Sequence, residues 1–521
     1  MAVKCFSLLL LGSLLLISVQ SHGTSEFYTS VANLVDLLDS EQNILSRLDK
    51  YIRLSEEKVK FLKKQKEQIK NEIKDASKDP ISFVSNPINA FLLMKRLVDD
   101  YKKIDDLMQM GLDVHLFDDS IKQPSQNDYK GVVEGLGHLQ DLYKMKAEDL
   151  AQGEILGQVK ARELASNECY TIGAILSQTK QYDHSIAWLK EALRRWSLES
   201  SKSISKLEIL DFLSYSLAED GQYEEALKYT NQLLKLDPKN ESTLKKKEVV
   251  EQWLKHIEEN GPNHRPSKPY RGLYEPLCRG EYQRSPADVA NLRCRYESKR
   301  SPFLRIAPFR MEEASLDPYI VIYHNAISDK EISTILQISK PLLSRSMVGE
   351  SFSKEVSKER TSQNGWLADH DHEVVKVLSL RTEDMTGLDR RSYESLQVNN
   401  YGIGGFYLPH FDWVRTNGTE EPYKDMGLGN RIATLMYYLS DVEQGGATVF
   451  PQIGVGVFPK KGSAIFWYNL LPDGRGDERT LHGACPVLLG SKWVANKWIH
   501  QYHQEFRRPC DLQPNKAYKL T

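Results

Sequence analysis

The chain has no hydrophobic run long enough to cross a membrane and no excess of charge of either sign. Its 521 residues include 69 Lys and Arg against 71 Asp and Glu, which leaves a net charge of −2. That balance favours binding neither to nucleic acid nor to a charged membrane surface. No segment reaches the roughly 18 consecutive apolar residues of a transmembrane helix. The motif H-E-x-x-H is also absent, which argues against a zinc hydrolase that uses two His and one carboxylate with its own general base.

The first residues have the pattern of a secretory signal. A basic start is followed by an apolar stretch over residues 6–19 and then by small residues, which predicts a signal peptide over residues 1–21. A buried first helix is the alternative. The last residues, 515–521, do not form a K-D-E-L type retrieval sequence. Residence in the endoplasmic reticulum would then need another anchor, and secretion is the alternative.

Cysteines are few, which restricts the disulfides that an oxidising compartment would favour. Five of the six lie beyond the predicted signal peptide, at Cys169, Cys278, Cys294, Cys485 and Cys510. Cys169 falls in a helical pattern, so we expect it to be a buried thiol. The connectivity of the others cannot be deduced from sequence alone.

Two sequons for N-glycosylation lie further along the chain, at Asn240 and Asn417. They are meaningful only if the chain enters the secretory pathway.

Four residues near the C-terminus indicate a metal site. His410 and Asp412 form an H-x-D motif, His482 follows 70 residues after Asp412, and Lys492 comes ten residues later. Two imidazoles and one carboxylate on one face of a metal form the triad of non-haem Fe(II) oxygenases, which leaves further positions open. A lysine beyond the last ligand could hold the far carboxylate of an organic co-substrate. H-x-D alone is weak evidence, and a lone His is more often an ordinary core residue.

The surroundings of these residues are typical of an antiparallel jelly roll or barrel. On a strand, residues i and i+2 face the same side, so His410 and Asp412 can both point inward. Short β-prone runs bounded by Gly and Pro predict further strands. These runs are Thr448–Phe450, Ala464–Tyr468, Trp493–Ile499 and Ile320–Tyr323.

Several blocks closely resemble the collagen prolyl 4-hydroxylase α subunit, in the family's order and approximate spacing. They lie at residues 400–405, 409–412, 429–434, 445–451, 461–464, 466–470 and 492–498. Two positions depart from the family. Leu408 replaces the usual Glu, and Phe406 stands where a polar residue is common. Neither is a metal ligand in the pattern, so we expect altered substrate contacts and retained chemistry.

The resemblance implies a double-stranded β-helix that uses Fe(II), 2-oxoglutarate, O₂ and L-ascorbate to hydroxylate C4 of proline. It assigns the iron ligands to His410, Asp412 and His482, and the 5-carboxylate of 2-oxoglutarate to Lys492. Tyr401 and Thr434 are candidates to bond the same carboxylate. His500 and His503 match no ligand position and are interpreted as structural. A non-catalytic scaffold for proline-rich peptides and a lysyl hydroxylase are the rival interpretations.

The N-terminal part predicts helices. From Leu34 to Ile73, apolar residues recur in steps of three and four among Lys, Glu and Gln, a pattern that buries one helix face. It fits a coiled coil or helical hairpin for dimerisation, or a helix packed within one chain. The family's organisation favours a dimerisation region over residues 25–150. It also implies assembly with protein disulfide isomerase in an α2β2 tetramer, located in the endoplasmic reticulum lumen.

Residues 160–256 have a sequence pattern that is typical of tetratricopeptide repeats. Tyr182 and Tyr223 occupy matching places 41 residues apart, against a usual period of about 34. The concave face of such helix pairs commonly binds extended peptides, and aromatic faces suit polyproline II ligands. The candidate peptide-binding residues are Tyr170, Tyr182, Asp211 and Tyr215, and the alternative is that the tyrosines only pack between helices.

The remaining boundaries complete a multidomain α+β chain. Residues 257–310 are rich in Pro, Arg, Gly and Tyr and predict a disulfide-stapled linker. The pairing that matches the family joins Cys278 to Cys294 and Cys485 to Cys510. The predicted dioxygenase domain covers residues 311–510, with its core at 393–503.

Overall fold

A computed structural model describes residues 31–109, 125–260, 272–346, 360–415, 423 and 426–511. The predicted signal peptide and the sequon at Asn417 lie outside these residues. The helices are α1 (Val31–Ala76), α2 (Pro80–Val84), α3 (Pro87–Lys95), α4 (Tyr101–Gln109), α5 (Gln126–Tyr143), α6 (Ala147–Ala151), α7 (Ser166–Gln178), α8 (Tyr182–Leu198), α9 (Lys206–Glu219), α10 (Tyr223–Leu236), α11 (Glu241–Asn260), α12 (Tyr274–Cys278), α13 (Pro286–Val289), α14 (Asp329–Ser339) and α15 (Glu373–Thr386). Within the described residues, no helix combines the length and the apolar character needed to cross a bilayer.

The first helix, α1, belongs to a compact unit that ends at Asp75, and the rest of the chain forms a second unit. Many of the predicted heptad positions are exposed on α1, with Leu45, Leu48, Ile52, Val59 and Ile73 between 45% and 59% accessible. A single copy of the chain therefore leaves much of the apolar stripe uncovered. The chain turns soon after α1, where Asp79 accepts a hydrogen bond from the backbone N of Ser82 and caps α2.

Helices α7 to α11 form successive helix pairs, as the repeat predicted. A Cβ at Gly173 would lie 2.7 Å from the Leu189 side chain, so the glycine permits close packing of α7 on α8. Further along, Leu213 and Leu217 of α9 pack with Val250 of α11 in one buried cluster. Cys169 is buried on α7 and unpaired, which confirms its prediction as a buried thiol.

The C-terminal part is built from antiparallel strands. A nine-stranded sheet has the order β3-β4-β5-β14-β10-β17-β8-β7-β6, and a four-stranded sheet has the order β13-β12-β15-β9. Two small ribbons pair β1 with β2 and β11 with β16. The strands are β1 (Glu154–Ile155), β2 (Gln158–Val159), β3 (Cys294–Glu297), β4 (Phe309–Leu316), β5 (Tyr319–His324), β6 (Ser344–Arg345), β7 (Gln363–Leu367), β8 (Leu396–Tyr401), β9 (Tyr407–His410), β10 (Arg431–Tyr438), β11 (Gln444–Gly445), β12 (Thr448–Phe450), β13 (Val455–Val457), β14 (Ala464–Tyr468), β15 (His482–Ala484), β16 (Val487–Leu489) and β17 (Lys492–His500).

The two larger sheets share one apolar core. Met436 and Tyr438 on β10 and Trp467 on β14 pack against Phe450 on β12 and Ala484 on β15 in a single buried cluster. Side chains from both sheets thus line the space between them, as in a jelly roll. The multidomain α+β architecture predicted from sequence is confirmed.

The predicted disulfide pairing is wrong. The structure joins Cys278 to Cys485, with Cα atoms 5.5 Å apart, and leaves Cys294 and Cys510 exposed and free. The reason is packing. Cys278 ends α12, which lies against β12 and β13 of the smaller sheet, and Cys485 directly follows β15 of that sheet. Cys294 instead starts β3 at the edge of the larger sheet.

The segment predicted to be a linker contains regular structure where it is described. From residue 272 onward it forms α12, α13 and β3, and β3 pairs with β4 from Cys294↔Glu312 to Glu297↔Phe309. Further along, Ser328 caps α14 in a capping box with Glu331.

Candidate active site

Three side chains on or next to strands β9 and β15 of the smaller sheet can act together as metal ligands. His410 on β9 lies directly opposite His482 on β15 in the strand register, and Asp412 follows β9. One ligand atom from each lies within 4.8 Å of the other two. His410 Nε2 is 3.7 Å from one Asp412 oxygen, and His482 Nε2 is 3.6 Å from the other. The structure brings the predicted triad together, with both imidazole Nε2 atoms turned to the carboxylate.

The orientation of the two imidazoles is fixed by the backbone. His410 Nδ1 donates to the Leu408 carbonyl at 2.8 Å, and His482 Nδ1 donates to the Thr480 carbonyl at 2.9 Å. A proton on Nδ1 leaves Nε2 as the free lone pair, which is the arrangement found in metal-binding histidines. Burial and the neighbouring His482 also lower the pKa of His410, so this imidazole is neutral and able to coordinate a cation.

Asp412 is buried and held by a hydroxyl from the opposite sheet. Thr434 Oγ1 on β10 donates to Asp412 Oδ2 at 2.7 Å and accepts from Asn469 Nδ2 at 2.9 Å. Burial alone would raise the pKa of Asp412, but His482, His410, Arg431 and this hydrogen bond lower it. Since the Thr434 proton is given to Asp412, it is not available to the far carboxylate of a co-substrate. The structure thus gives Thr434 a contact with the triad, and its expected contact with the co-substrate stays a prediction.

Lys492 is a buried amine that needs an anion. It is 1% exposed at the start of β17 and lies opposite Tyr401 of β8 in the register. Its Nζ is 5.2 Å from the centre of the Tyr401 ring and has no hydrogen-bond partner among the described residues. Burial lowers the pKa of Lys492 to about 7. A buried amine is costly unless it is paired, so this site fits a bound carboxylate.

The donor set and the orphaned amine together fit an iron ion and 2-oxoglutarate. Two imidazoles and one carboxylate suit non-haem Fe(II). The Lys492 ammonium can pair with the 5-carboxylate of 2-oxoglutarate. The aromatic ring of Tyr401 lies close to the same ammonium. Tyr401 is 5% exposed, and burial raises the pKa of its phenol, which keeps it a neutral hydrogen-bond donor.

Sequence reasoning missed two arginines beside this centre. Arg360 lies over the Tyr407 ring at 4.8 Å, and that ring stacks on His410 at 3.5 Å. Arg431 pairs with the Glu394 carboxylate, which also bonds His500 Nε2 at 2.8 Å. Arg431 could have been found because it falls within a block that resembles the family. Arg360 lies outside every such block.

His500 and His503, which were interpreted as structural from the sequence, lie outside the triad. His500 is fully buried and its Nδ1 donates to the Gly429 carbonyl at 2.7 Å. Tyr423 crosses the His500 ring edge-on at 5.1 Å. Tyr423 Oη also donates to the Asp412 carbonyl at 3.2 Å. His503 is exposed.

The predicted peptide-binding residues lie on neighbouring helices. Tyr182 at the start of α8 meets Tyr215 of α9 edge-to-face at 6.4 Å. Tyr170 of α7 meets Phe212 in the same way. Asp211 accepts from Lys246 Nζ of α11 at 2.6 Å, so its carboxylate is already paired. Tyr215 is 39% exposed, which leaves ring surface available to a ligand.

The two departures from the family pattern have different surroundings. Phe406 is 7% exposed and its ring lies 5.5 Å from that of His138 on α5. Leu408 is half-buried, and its carbonyl is the one that accepts from His410. Phe406 thus joins the strand carrying the ligands to an N-terminal helix.

Comparisons with known proteins agree with this geometry along most of the chain. Family models match residues 30–157 (prolyl 4-hydroxylase alpha-subunit, N-terminal region), residues 166–256 (prolyl 4-hydroxylase peptide-substrate-binding domain) and residues 396–500 (2OG-Fe(II) oxygenase superfamily). The chain is 37% identical to prolyl 4-hydroxylase subunit alpha-1 of Homo sapiens, covering 97% of this chain and 98% of that protein. It is 36% identical to subunit alpha-2 of Gallus gallus, covering 94% and 96%. Identity to subunit alpha-1 of Caenorhabditis elegans is 35%, covering 96% and 93%.

Among solved structures, the viral collagen prolyl hydroxylase of Paramecium bursaria chlorella virus 1, in its 2-oxoglutarate complex, is 26% identical. That match covers 34% of this chain and 94% of the viral protein, with a TM-score of 0.29. The near full-length identity to curated relatives, together with the assembled His-Asp-His site, shows that this chain belongs to the prolyl 4-hydroxylase alpha-subunit family.

Proposed function

We propose that this chain is a catalytic α subunit that hydroxylates C4 of proline in X-Pro-Gly repeats. The reaction consumes O₂ and 2-oxoglutarate and yields succinate and CO₂. The observation that carries the proposal is the assembled triad of His410, Asp412 and His482 beside the buried, unpaired amine of Lys492. A scaffold that had lost catalysis would not need to keep so costly an amine.

In this function, different residues bind the iron and the 2-oxoglutarate. His410, Asp412 and His482 hold Fe(II), which supplies the activation of O₂ that no side chain can provide. Lys492 holds the 5-carboxylate of 2-oxoglutarate, and the Tyr401 phenol is the candidate hydrogen-bond donor beside it. Thr434 positions the Asp412 carboxylate, and the Leu408 and Thr480 carbonyls orient the two imidazoles.

The substrate is a proline-rich, collagen-like peptide. Two lines support this assignment. The curated relatives are named prolyl 4-hydroxylases, and the helix pairs match a domain described as peptide-substrate-binding. Polyproline II segments are rigid and lose little entropy on binding, which suits a groove lined by tyrosines.

The partner is protein disulfide isomerase in an α2β2 assembly, and the location is the endoplasmic reticulum lumen. The exposed apolar stripe of α1 supports contact with a second helix. The signal-like N-terminus and the disulfide between Cys278 and Cys485 support an oxidising compartment. L-ascorbate completes the cofactor set by returning oxidised iron to Fe(II).

Glycosylation is assigned to Asn240 and Asn417. The Asn240 side chain accepts from the backbone N of Thr243 at 3.0 Å and is half-buried at the start of α11. The sugar would attach to Asn240 Nδ2, which donates to Asp237 Oδ2 at 3.2 Å, so modification would require that bond to rearrange.

The test uses the full chain with its partner subunit, supplied with iron, 2-oxoglutarate and a Pro-Pro-Gly peptide. Succinate and 4-hydroxyproline are expected in equal amounts. Both should fall to background in His482→Ala and Lys492→Ala. Peptide binding without turnover in the unaltered protein would instead favour a scaffold. Turnover of a lysine-containing collagen-like peptide, with the Pro-Pro-Gly peptide left unmodified, would favour a lysyl hydroxylase.

A further inference from the structure

Two aromatic pairs recur in successive helix repeats, and only one was expected to touch peptide. In the first pair, Tyr182 begins α8 and contacts Tyr215 on α9. In the second, Tyr223 begins α10 and stacks on Trp253 of α11, with ring centres 5.9 Å apart and planes within 7°. In both pairs, the first residue of one helix packs on the middle of the next. Tyr223 and Trp253 thus repeat the first pair one step further along the repeat.

The second pair lies on the same side of the helices as the first. Lys246 of α11 reaches toward α9, where its Nζ bonds Asp211 at 2.6 Å and lies 6.0 Å from the Tyr215 ring centre. Trp253 follows Lys246 by seven residues, which is two helical turns with a rotation of only about 20°. The face of α11 that borders the Tyr215 groove therefore also carries Trp253.

The part of the α11 face that runs from Val249 to Trp253 is apolar and exposed among the described residues. Val249 lies between Lys246 and Trp253 on the same face and is 52% exposed, and Trp253 is 41% exposed despite its stack on Tyr223. His256 meets the Trp253 ring edge-on at 5.7 Å. A large aromatic ring that is half-open and braced by two neighbours presents a rigid flat surface, which suits ring-on-ring contact with proline.

The spacing fits one more turn of the proposed ligand. Two turns of α11 separate Lys246 from Trp253 by about 10.5 Å along the helix axis. One turn of a polyproline II helix contains three residues and rises about 9.3 Å. A ligand that follows this face of α11 would thus advance from Lys246, which borders the Tyr215 ring, to Trp253 in about one triplet.

We propose that the peptide groove extends beyond Tyr182 and Tyr215 to a second subsite formed by Tyr223 and Trp253. This subsite binds one further X-Pro-Gly triplet of the same polyproline II segment. The proposal deepens the function given above and rests on it. Its consequence is that affinity for substrate grows with peptide length until the second subsite is filled.

The test compares peptide length with and without the Trp253 ring, in the full chain with its partner subunit. Binding of a single Pro-Pro-Gly triplet, which is too short to span both aromatic pairs, is compared by calorimetry with binding of a peptide of about ten triplets. Trp253→Ala should weaken the long peptide about tenfold and leave the short peptide unchanged. Trp253→Phe, which keeps a flat ring, should restore most of the loss.

Leu244→Ala is the matched control. Leu244 is also on α11, is 42% exposed, and precedes Trp253 by nine residues, which places it on the opposite face of the helix. It should bind both peptides as the unaltered chain does.

The other outcomes overturn the second subsite. Equal weakening of both peptides would mean that Trp253 acts only through the fold of the module. Unchanged binding of both would mean that no ligand reaches it, and a changed assembly state with unchanged binding would mean that a protein covers this face. Each can occur while hydroxylation of the short peptide persists, so failure of the subsite is distinct from failure of the proposed function.

Discussion

Tyr143, at the end of α5, donates a hydrogen bond to the carbonyl of Pro486, 343 residues later, at 2.6 Å. The next residue, Val487, exchanges backbone hydrogen bonds with Gly404 and Gly405 in the segment after Tyr401, and α5 also contacts that segment directly. A Cβ on Gly135 would lie 3.1 Å from the Ile403 carbonyl oxygen, and one on Gly404 would lie 2.9 Å from the Gly135 oxygen. Only glycines allow the two backbones to approach so closely. The N-terminal region therefore supports the loop that joins Tyr401 to the ligand strand.

Tyr143→Phe tests this support. The change removes one of two donors to the buried Pro486 carbonyl, which still accepts from the Gly446 backbone N at 3.0 Å. Loss of the Tyr143 bond should therefore cost about 0.5–1.5 kcal/mol of stability. Because the supported loop begins at Tyr401, the KM for 2-oxoglutarate should rise several-fold, with a smaller change in kcat. Thermal unfolding and steady-state kinetics with varied 2-oxoglutarate measure the two effects.

Tyr129→Phe is the control for that variant. Tyr129 lies on the same helix, is 2% exposed, and its hydroxyl has no partner among the described residues. Its removal should leave stability and kinetics near those of the unaltered chain. Equal effects of the two substitutions would contradict the support of the loop by Tyr143.

Binding of 2-oxoglutarate should depend on pH through Lys492. Burial lowers the pKa of Lys492 to about 7, and a bound carboxylate would raise it. Binding then takes up a proton above pH 7, so affinity should fall as pH rises from about 7 toward 9. The measurement is anaerobic titration of the iron-loaded chain with 2-oxoglutarate across that range. Lys492→Arg should flatten the profile, since a guanidinium stays charged, and an unchanged profile would contradict the role of Lys492.

The same shift predicts how the ligand-free chain responds to pH. The folded pKa of Lys492 is lowered, so between about 7 and the unfolded value of 10.5 the unfolded chain binds more protons. This group's contribution to stability therefore rises with pH across that window. Lys492→Met should remove that contribution and raise the melting temperature of the ligand-free chain at neutral pH, because an unpaired buried amine is replaced by an apolar side chain. A lowered melting temperature would show that the amine is paired in the free protein.

Thr434→Val should weaken iron binding more than 2-oxoglutarate binding. The substitution removes the hydroxyl that holds Asp412 Oδ2, and loss of such a contact typically costs 10–100-fold in metal affinity. Equilibrium dialysis against Fe(II) without oxygen gives the metal affinity. Thr434→Ser, which keeps the hydroxyl, should behave nearly as the unaltered chain. If Thr434→Val instead raised only the KM for 2-oxoglutarate, the role first expected from sequence would be correct.

Peptide mapping under non-reducing conditions should find Cys278 linked to Cys485. Cys485→Ser should destabilise the chain by about 2–5 kcal/mol, since the bond closes a long loop, and Cys294→Ser should have little effect. A peptide that links Cys278 to Cys294 would overturn the connectivity seen here.

The sequence predicted local structure and the clustering of the three triad residues, because both follow from short patterns. Ala464–Tyr468 is a strand with the predicted bounds, and the H-x-D motif places His410 and Asp412 together. The order of the family's blocks located His482 and Lys492. What the sequence could not provide is contact between distant segments. The roles of Tyr143 and Phe406, the pairing of Cys278 and the hydrogen bond from Thr434 to Asp412 all depend on which elements meet in space.

The most direct test of the account is a single turnover of the anaerobically iron-loaded chain, with its partner subunit, 2-oxoglutarate and a Pro-Pro-Gly peptide. The chain should take up one Fe(II) for each active site. On addition of oxygen-18 gas, it should yield 4-hydroxyproline labelled in its new hydroxyl and an equal amount of succinate. Failure to take up iron, or succinate formed without labelled hydroxyproline, would contradict the central claim.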